Sequence, residues 1–74
     1  HGAALPVTDR AEDYKAGDVV SMMLPGNLPH IAIVSAKRSV DDAKPLLVHN
    51  IGQGTQLEDV LFVYRLTGHY RFRV

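Results

Sequence analysis

The 74 residues are enough for one small domain, and their eight Lys and Arg residues balance eight Asp and Glu residues. This balance provides no basic surface for nucleic acids, so no nucleic-acid partner is expected. Because the chain has no cysteine and its four histidines lack the spacing of a metal site, neither a metal nor another cofactor is predicted. No apolar run approaches the roughly 20 residues that cross a bilayer, which predicts no membrane span.

Residues 1–17 are polar and rich in turn-forming residues, and we expect them to form an extended entry segment. After Gly17, short apolar runs alternate with turn residues such as Pro25-Gly26-Asn27, a pattern that is typical of β-strands. The pattern predicts five strands, over residues 18–24, 31–36, 46–51, 59–66 and 69–74. Any helix is expected to be limited to one turn around residues 56–60, and Thr67-Gly68 is the expected connection between the last two strands.

Five short strands joined by Gly, Pro and Asp turns predict a mostly β fold: a small antiparallel curled sheet or an SH3-like barrel, forming a single domain over residues 1–74. The first three predicted strands are apolar on both faces, whereas a sheet with one face in water should alternate. The additional apolar face therefore requires a cover. The cover is either the barrel itself, closed on its own interior, or helices that these residues do not supply.

His30 is the main candidate for a functional residue, because it stands at the start of an apolar strand directly after a Gly- and Pro-rich loop. An imidazole has an ordinary pKa of about 6.5 and can accept and return a proton near neutral pH. A histidine held at a strand end can therefore serve as a general base. The alternative interpretation is a hydrogen-bonded structural histidine.

The residue that orients His30 is expected on the next strand, over residues 46–51. If the intervening loop is centred on residue 40, Asn50 lies opposite His30. A one-residue bulge in the loop would bring His49 to that place instead. Both residues are therefore candidates.

The other polar residues receive structural interpretations. Asp18 precedes a strand and is expected to cap backbone amides, rather than to act as an acidic catalytic partner. His69 and Arg71 alternate with apolar neighbours, which predicts that both are exposed on an edge strand. The residues Glu58-Asp59 are predicted to form a solvated turn.

Five blocks of sequence resemble a known family. They are residues 14–20 (YKAGDVV), 28–35 (LPHIAIVS), 47–52 (LVHNIG), 58–62 (EDVLF) and 67–70 (TGHY). In this order and spacing the blocks resemble the C-terminal half of the DUF1287 family of bacterial proteins, which is similar to the NlpC/P60 group of papain-like cysteine peptidases and amidases. The resemblance covers residues 13–72.

This resemblance implies that the chain is the β half of a papain-like α+β domain. In that group a cysteine nucleophile on a helix is followed by a strand that begins with the catalytic histidine, and then by a third polar residue on the next strand. His30 matches the catalytic histidine, and His49 or its neighbour Asn50 matches the third position, with the family pattern in favour of His49. The cysteine would lie on an upstream helical half, within the same protein or on a separate chain.

The resemblance further implies a hydrolase that cleaves an amide bond in cell-wall peptide or a similar peptide, in the periplasm or outside the cell. The isolated chain is expected to be inactive, because it lacks the nucleophile. A rival hypothesis from another class is a non-catalytic SH3-like module that binds a peptide or a glycan. A third is a catalytically inactive relative with a structural role.

Overall fold

The chain forms one curled, open, antiparallel β-sheet, as a computed structural model of residues 2–40, 43–50 and 54–72 describes it. The strands are β1 (Gly2–Leu5), β2 (Val19–Leu24), β3 (Leu28–Arg38), β4 (Pro45–Asn50), β5 (Thr55–Glu58) and β6 (Arg65–Phe72). Their order in the sheet is β1-β6-β2-β3-β4-β5. A short 3-10 helix over Ala11–Asp13 is the only helix among the described residues. The prediction of a mostly β fold with a curled sheet is confirmed.

The number and bounds of the strands differ from the prediction. The entry segment contributes β1, which pairs with β6 at the edge of the sheet. The residues around 56–60 do not form a helical turn, because most of them belong to β5, which pairs with β4 along its whole length. The local sequences of β1 and β5 carry little strand signal. Pairing with a neighbouring strand outweighs their weak local preference for the strand conformation.

The two C-terminal strands expected over residues 59–66 and 69–74 are in fact one strand, β6, preceded by a turn in which the Val63 amide donates to the Val60 carbonyl at 3.2 Å. Thr67-Gly68 is not a connection. A Cβ atom at position 68 would lie 2.6 Å from Ser21 Oγ, so Gly68 permits the close approach of β6 to β2. The register between these strands shifts between Ser21 and Met22. Residues 51, 73 and 74 lie outside the described residues.

The predicted turn at Pro25-Gly26-Asn27 is confirmed, and it positions His30. Gly26 and Asn27 both have positive φ, 84° and 58°, a conformation that glycine and asparagine adopt at low cost. The hairpin pairs Leu24 with Leu28 and Met22 with His30. Since directly opposed residues share a face of the sheet, His30 lies on the same face as the buried Met22.

One face of the sheet, here called the inner face, carries the hydrophobic core. Its buried residues are Val20, Met22, Ala32, Val34 and Leu47. The chain itself covers this face, with the buried residues Tyr14 and Leu61 and the partly buried Phe62. The Tyr14 and Phe62 rings meet edge to face, with centroids 5.9 Å apart.

The opposite face, the outer face, is also apolar but is not covered by the described residues. Ile33 pairs with Val48, and Val48 pairs with Leu57, which places these three side chains in one row. Ile33 and Leu57 are exposed, as is Ile31 on the same face. The described residues thus cover one of the two apolar faces that the sequence predicts.

A buried polar cluster joins the start of β2 to β6. The Asp18 carboxylate is 1% exposed and accepts hydrogen bonds from His69 Nε2 at 2.6 Å and from Arg71 Nε and Nη2, both at 2.8 Å. It also accepts one from the Lys15 amide at 2.9 Å, so the predicted capping role is confirmed. Burial alone would raise the pKa of this carboxyl, but the hydrogen bonds and the positive charge of Arg71 hold it well below its usual range.

The predicted exposure of His69 is wrong. Its side chain is buried and stacks on the Tyr14 ring with centroids 4.3 Å apart. The reason is that β6 is not an edge strand but lies between β1 and β2, and the register places His69 opposite the buried Val20. Arg71 remains partly exposed, yet it is bound to Asp18 rather than only to water.

Two leucines test which face stabilises the chain. Leu47 on the inner face is fully buried, whereas Leu57 on the outer face is 43% exposed. Leu47→Ala should lower the free energy of unfolding by about 2–5 kcal/mol, because it leaves a cavity in the core. Leu57→Ala should cost less than about 1 kcal/mol. Urea denaturation measures both, and an equal cost for the two variants would contradict the assignment of the faces.

Asp18→Asn should lower the free energy of unfolding at pH 7 by about 3 kcal/mol, because it removes the charged acceptor from a buried cluster. The contribution of Asp18 is fully present above the unfolded-state pKa of about 3.9, and it is lost as the pH falls below that value toward the lower folded-state pKa. The difference between wild type and variant should therefore shrink below about pH 4. Asp59→Asn, which changes an exposed carboxylate, is the control. A difference that stays constant down to pH 2 would contradict this account.

Candidate active site: a hydrogen-bonded histidine pair

The register between β3 and β4 determines which residue joins His30. Val34 pairs directly with Leu47 on the inner face, and Ile33 pairs with Val48 on the outer face. Because side chains alternate along a strand, His30 and His49 both face inward. The register also shifts between Val34 and Arg38, but this shift leaves the faces of both strands unchanged. Arg38 pairs with Pro45, so the hairpin is not centred on residue 40, and for that reason His49 rather than Asn50 shares the face of His30.

The two imidazoles are in direct contact. His30 Nε2 and His49 Nδ1 are 3.0 Å apart and share a hydrogen bond. The ring centroids are 5.2 Å apart, and the ring planes are inclined by 76°. His49 is buried, whereas His30 is only partly buried. The pair therefore has one ring inside the sheet and one at its margin.

Asn50 does not join this pair. Asn50 is exposed and pairs with Thr55 at the end of β4. Because side chains alternate along a strand, the Asn50 side chain lies on the outer face. Of the three candidate residues from the sequence, the structure brings His30 and His49 together and leaves Asn50 apart.

Glu58 is a member of the site that the sequence interpretation missed. Its Oε1 atom is 2.7 Å from His49 Nε2, although the Glu58 side chain is 46% exposed. Glu58 ends β5 and pairs with Leu47, which places it on the inner face. The sequence interpretation missed this contact because it placed Glu58 in a solvated turn rather than in a strand. If β5 is recognised as a strand, its pairing with β4 gives Glu58 the same face as His49.

The second ring nitrogen of His30 is available to another group. His30 Nδ1 makes no hydrogen bond to the described residues, and no buried polar side-chain atom among them lacks a partner. His30 Nδ1 therefore reaches the surface. An imidazole with one nitrogen held by the protein and the other open has the arrangement of a general acid or base.

His69 provides an instructive contrast. Both of its nitrogens face protein acceptors, with Nε2 at 2.6 Å from Asp18 and Nδ1 at 3.4 Å from the Pro6 carbonyl. The ring is buried under Tyr14 and has no nitrogen left for a ligand. The His69 cluster is therefore structural, and His30 is the histidine whose chemistry is open to solvent.

The arrangement does not form a metal centre. The contacts run in a line from Glu58 to His49 to His30, so the hydrogen-bonded nitrogens face neighbouring side chains rather than a common point. Within residues 2–40, 43–50 and 54–72, no group of three His, Asp or Glu side chains is arranged to hold a metal ion. Over the same residues there is no helix with the length and hydrophobicity that crossing a bilayer requires.

The fold and the site together define the chain as a small β domain with an open imidazole at the margin of its sheet. The chain belongs to the DUF1287 family, a domain of unknown function, whose family model matches residues 1–72. A relative from Escherichia coli (strain K12), the uncharacterized protein YijF, is 47% identical over 74 residues, which are 100% of this chain and 36% of the relative. The chain thus spans about a third of that relative's length. No solved structure matches the chain.

Proposed function

We propose that the chain is the β portion of a cysteine peptidase or amidase of the NlpC/P60 type, in which His30 is the general base and His49 orients it. The hydrogen bond between His30 Nε2 and His49 Nδ1 is the observation that carries the proposal. It holds the His30 ring from behind and leaves Nδ1 open, as a thiol-activating histidine requires.

The proposed reaction has two stages. His30 Nδ1 takes the proton of a cysteine thiol, and the thiolate attacks the carbonyl carbon of an amide. The C–N bond then breaks, and His30 returns the proton to the leaving amine. The acyl group is then held on the sulfur as a thioester. His30 takes a proton from water as the water oxygen attacks the thioester, the C–S bond breaks to release the acid, and His30 returns the proton to the thiolate.

The nucleophile must come from outside this chain, which contains no cysteine. We propose that an upstream helical segment supplies it, as part of the same protein or as a separate chain. The 36% coverage of the Escherichia coli relative supports this proposal, because most of that relative lies outside the matched region. The exposed apolar outer face offers a surface for further protein, but His30 shares the inner face with Met22, so the proposed nucleophile must approach from the inner side.

The proposed substrate class is an amide bond in cell-wall peptide or a similar peptide, and the proposed location is the periplasm or the extracellular space. Both rest on the resemblance to the NlpC/P60 group. The partial exposure of His30 supports the proposal, because an extended peptide needs access to the imidazole.

A peptide- or glycan-binding module is the second candidate function, and one observation favours it. An open groove of about 440 Å³ lies beside the β2–β3 turn and is lined by Pro25, Gly26 and Tyr64, among others. An aromatic ring beside a proline turn is a surface on which an extended peptide can lie. This function would require neither His30 nor a thiol.

The two functions are separated by hydrolysis assays on the complete protein that contains this chain, with a peptidoglycan-derived peptide as substrate. His30→Ala should lower kcat/KM by about 10²–10⁴-fold, because it removes the base. His49→Ala should lower it by a smaller factor, and Asn50→Ala, the matched neighbour, should stay within about twofold of wild type. Full activity in His30→Ala would overturn the hydrolase proposal. Binding of the peptide without cleavage, unchanged in His30→Ala, would establish the binding module instead.

A further inference from the structure

We propose that Glu58 is a positioning residue that sets the direction of proton donation through the histidine pair and so keeps His30 Nδ1 free of its proton. The catalytic value of this arrangement rests on the proposed function. The arrangement itself rests on two hydrogen bonds, from His49 to Glu58 at 2.7 Å and between His30 and His49 at 3.0 Å.

The histidine pair alone does not define a direction. A neutral imidazole carries one N–H donor and one acceptor nitrogen, so either ring could donate across the contact between His30 Nε2 and His49 Nδ1. If His49 donated, His30 would accept at Nε2 and carry its proton on Nδ1. His30 Nδ1 would then be a donor toward the open side of the site and could not act as a base.

The Glu58 carboxylate excludes that arrangement. An ionised carboxylate has only acceptors, so His49 must present N–H at Nε2. A neutral His49 then accepts at Nδ1, and His30 must donate from Nε2. The lone pair of His30 is thereby left on Nδ1, the nitrogen that reaches the surface. Glu58 also favours the positive charge that the pair gains when His30 takes a proton.

The fold holds Glu58 in this role through strand pairing. Glu58 is opposite Leu47 and His49 is opposite Gln56, so the carboxylate and the imidazole lie on one face of the β4–β5 pair. The His49 side chain is 1% exposed, which means that water cannot replace the acceptor without a rearrangement. A buried N–H group without an acceptor costs about 1–3 kcal/mol. The Glu58 contact therefore strongly favours the His49 orientation and tautomer in which Nε2 donates to the carboxylate.

The experiment compares Glu58→Gln with Asp59→Asn in the complete protein. Each variant removes one negative charge, and the two residues are adjacent, but of these two only Glu58 is hydrogen-bonded to His49. Histidines labelled with ¹⁵N report the protonation of each ring nitrogen by NMR. The wild type, at a pH where both rings are neutral, should show protonated Nε2 and unprotonated Nδ1 on both His30 and His49. It should also show a downfield His49 N–H proton from the charge-assisted bond.

Glu58→Gln should lose that downfield proton signal, and Asp59→Asn should retain it. In hydrolysis assays Glu58→Gln should lower kcat about 10- to 100-fold with KM within about twofold, because the substrate does not touch Glu58. Asp59→Asn should match wild type in both constants.

The NMR measurement tests the role of Glu58, and the hydrolysis assay tests the proposed function, so either can be contradicted without the other. A proton on His30 Nδ1 in the wild type, or a His49 proton signal that is unchanged in Glu58→Gln, would overturn the role of Glu58 whatever the activity. The expected NMR result in a protein that does not hydrolyse amides would support the Glu58 arrangement and overturn the hydrolase function. Should Glu58→Gln fold poorly, Glu58→Ala gives the same test of the His49 proton signal.

Discussion

The candidate site depends on the register of β3 against β4. The pairs Val34–Leu47 and Ile33–Val48 turn His49 rather than Asn50 toward His30. A slip of one residue would exchange the two faces of β4 and bury Asn50 in place of His49. The core resists such a slip, because it would also expose Leu47 and bury Val48 against the inner face. Packing energy thus specifies the position of the imidazole pair.

The same sheet carries two imidazole–carboxylate contacts with different purposes. Asp18 and His69 lie inside the molecule beneath Tyr14, and Arg71 completes a closed cluster that ties β6 to the start of β2. Glu58 and His49 form a similar contact near the other edge of the sheet, but there the line continues to His30 and ends at an open nitrogen. The number of protein partners on each ring distinguishes the structural histidine from the candidate base.

Local sequence signals account for much of the fold. The alternation of apolar runs with Gly, Pro and Asn residues predicted a mostly β sheet. The turn at Pro25-Gly26-Asn27 was also predicted, but the strand after it begins at Leu28, so His30 lies within β3 rather than at its start. The missed features depend on contacts between distant segments. Residues 2–5 form β1 because they pair with β6. This pairing places β6 inside the sheet, and His69 is therefore buried. Glycine is typical of turns, but Gly68 lies within β6, where the absence of a side chain allows β6 to approach β2 closely. The Glu58 contact became visible only with the pairing of β5. The choice between His49 and Asn50 required the register of β3 against β4, which no local pattern indicates.

We propose that His30 completes a site whose nucleophile lies elsewhere in the complete protein. The most direct test is an experimental structure of that protein, in which the distance from His30 Nδ1 to the nearest cysteine sulfur is measured. We expect a cysteine sulfur within about 4 Å of His30 Nδ1, on the side of the His30 ring away from His49. A thiol must be within hydrogen-bond range of the imidazole to lose its proton to it. A complete protein with no cysteine near His30, or with Nδ1 covered by another part of the fold, would contradict the proposal.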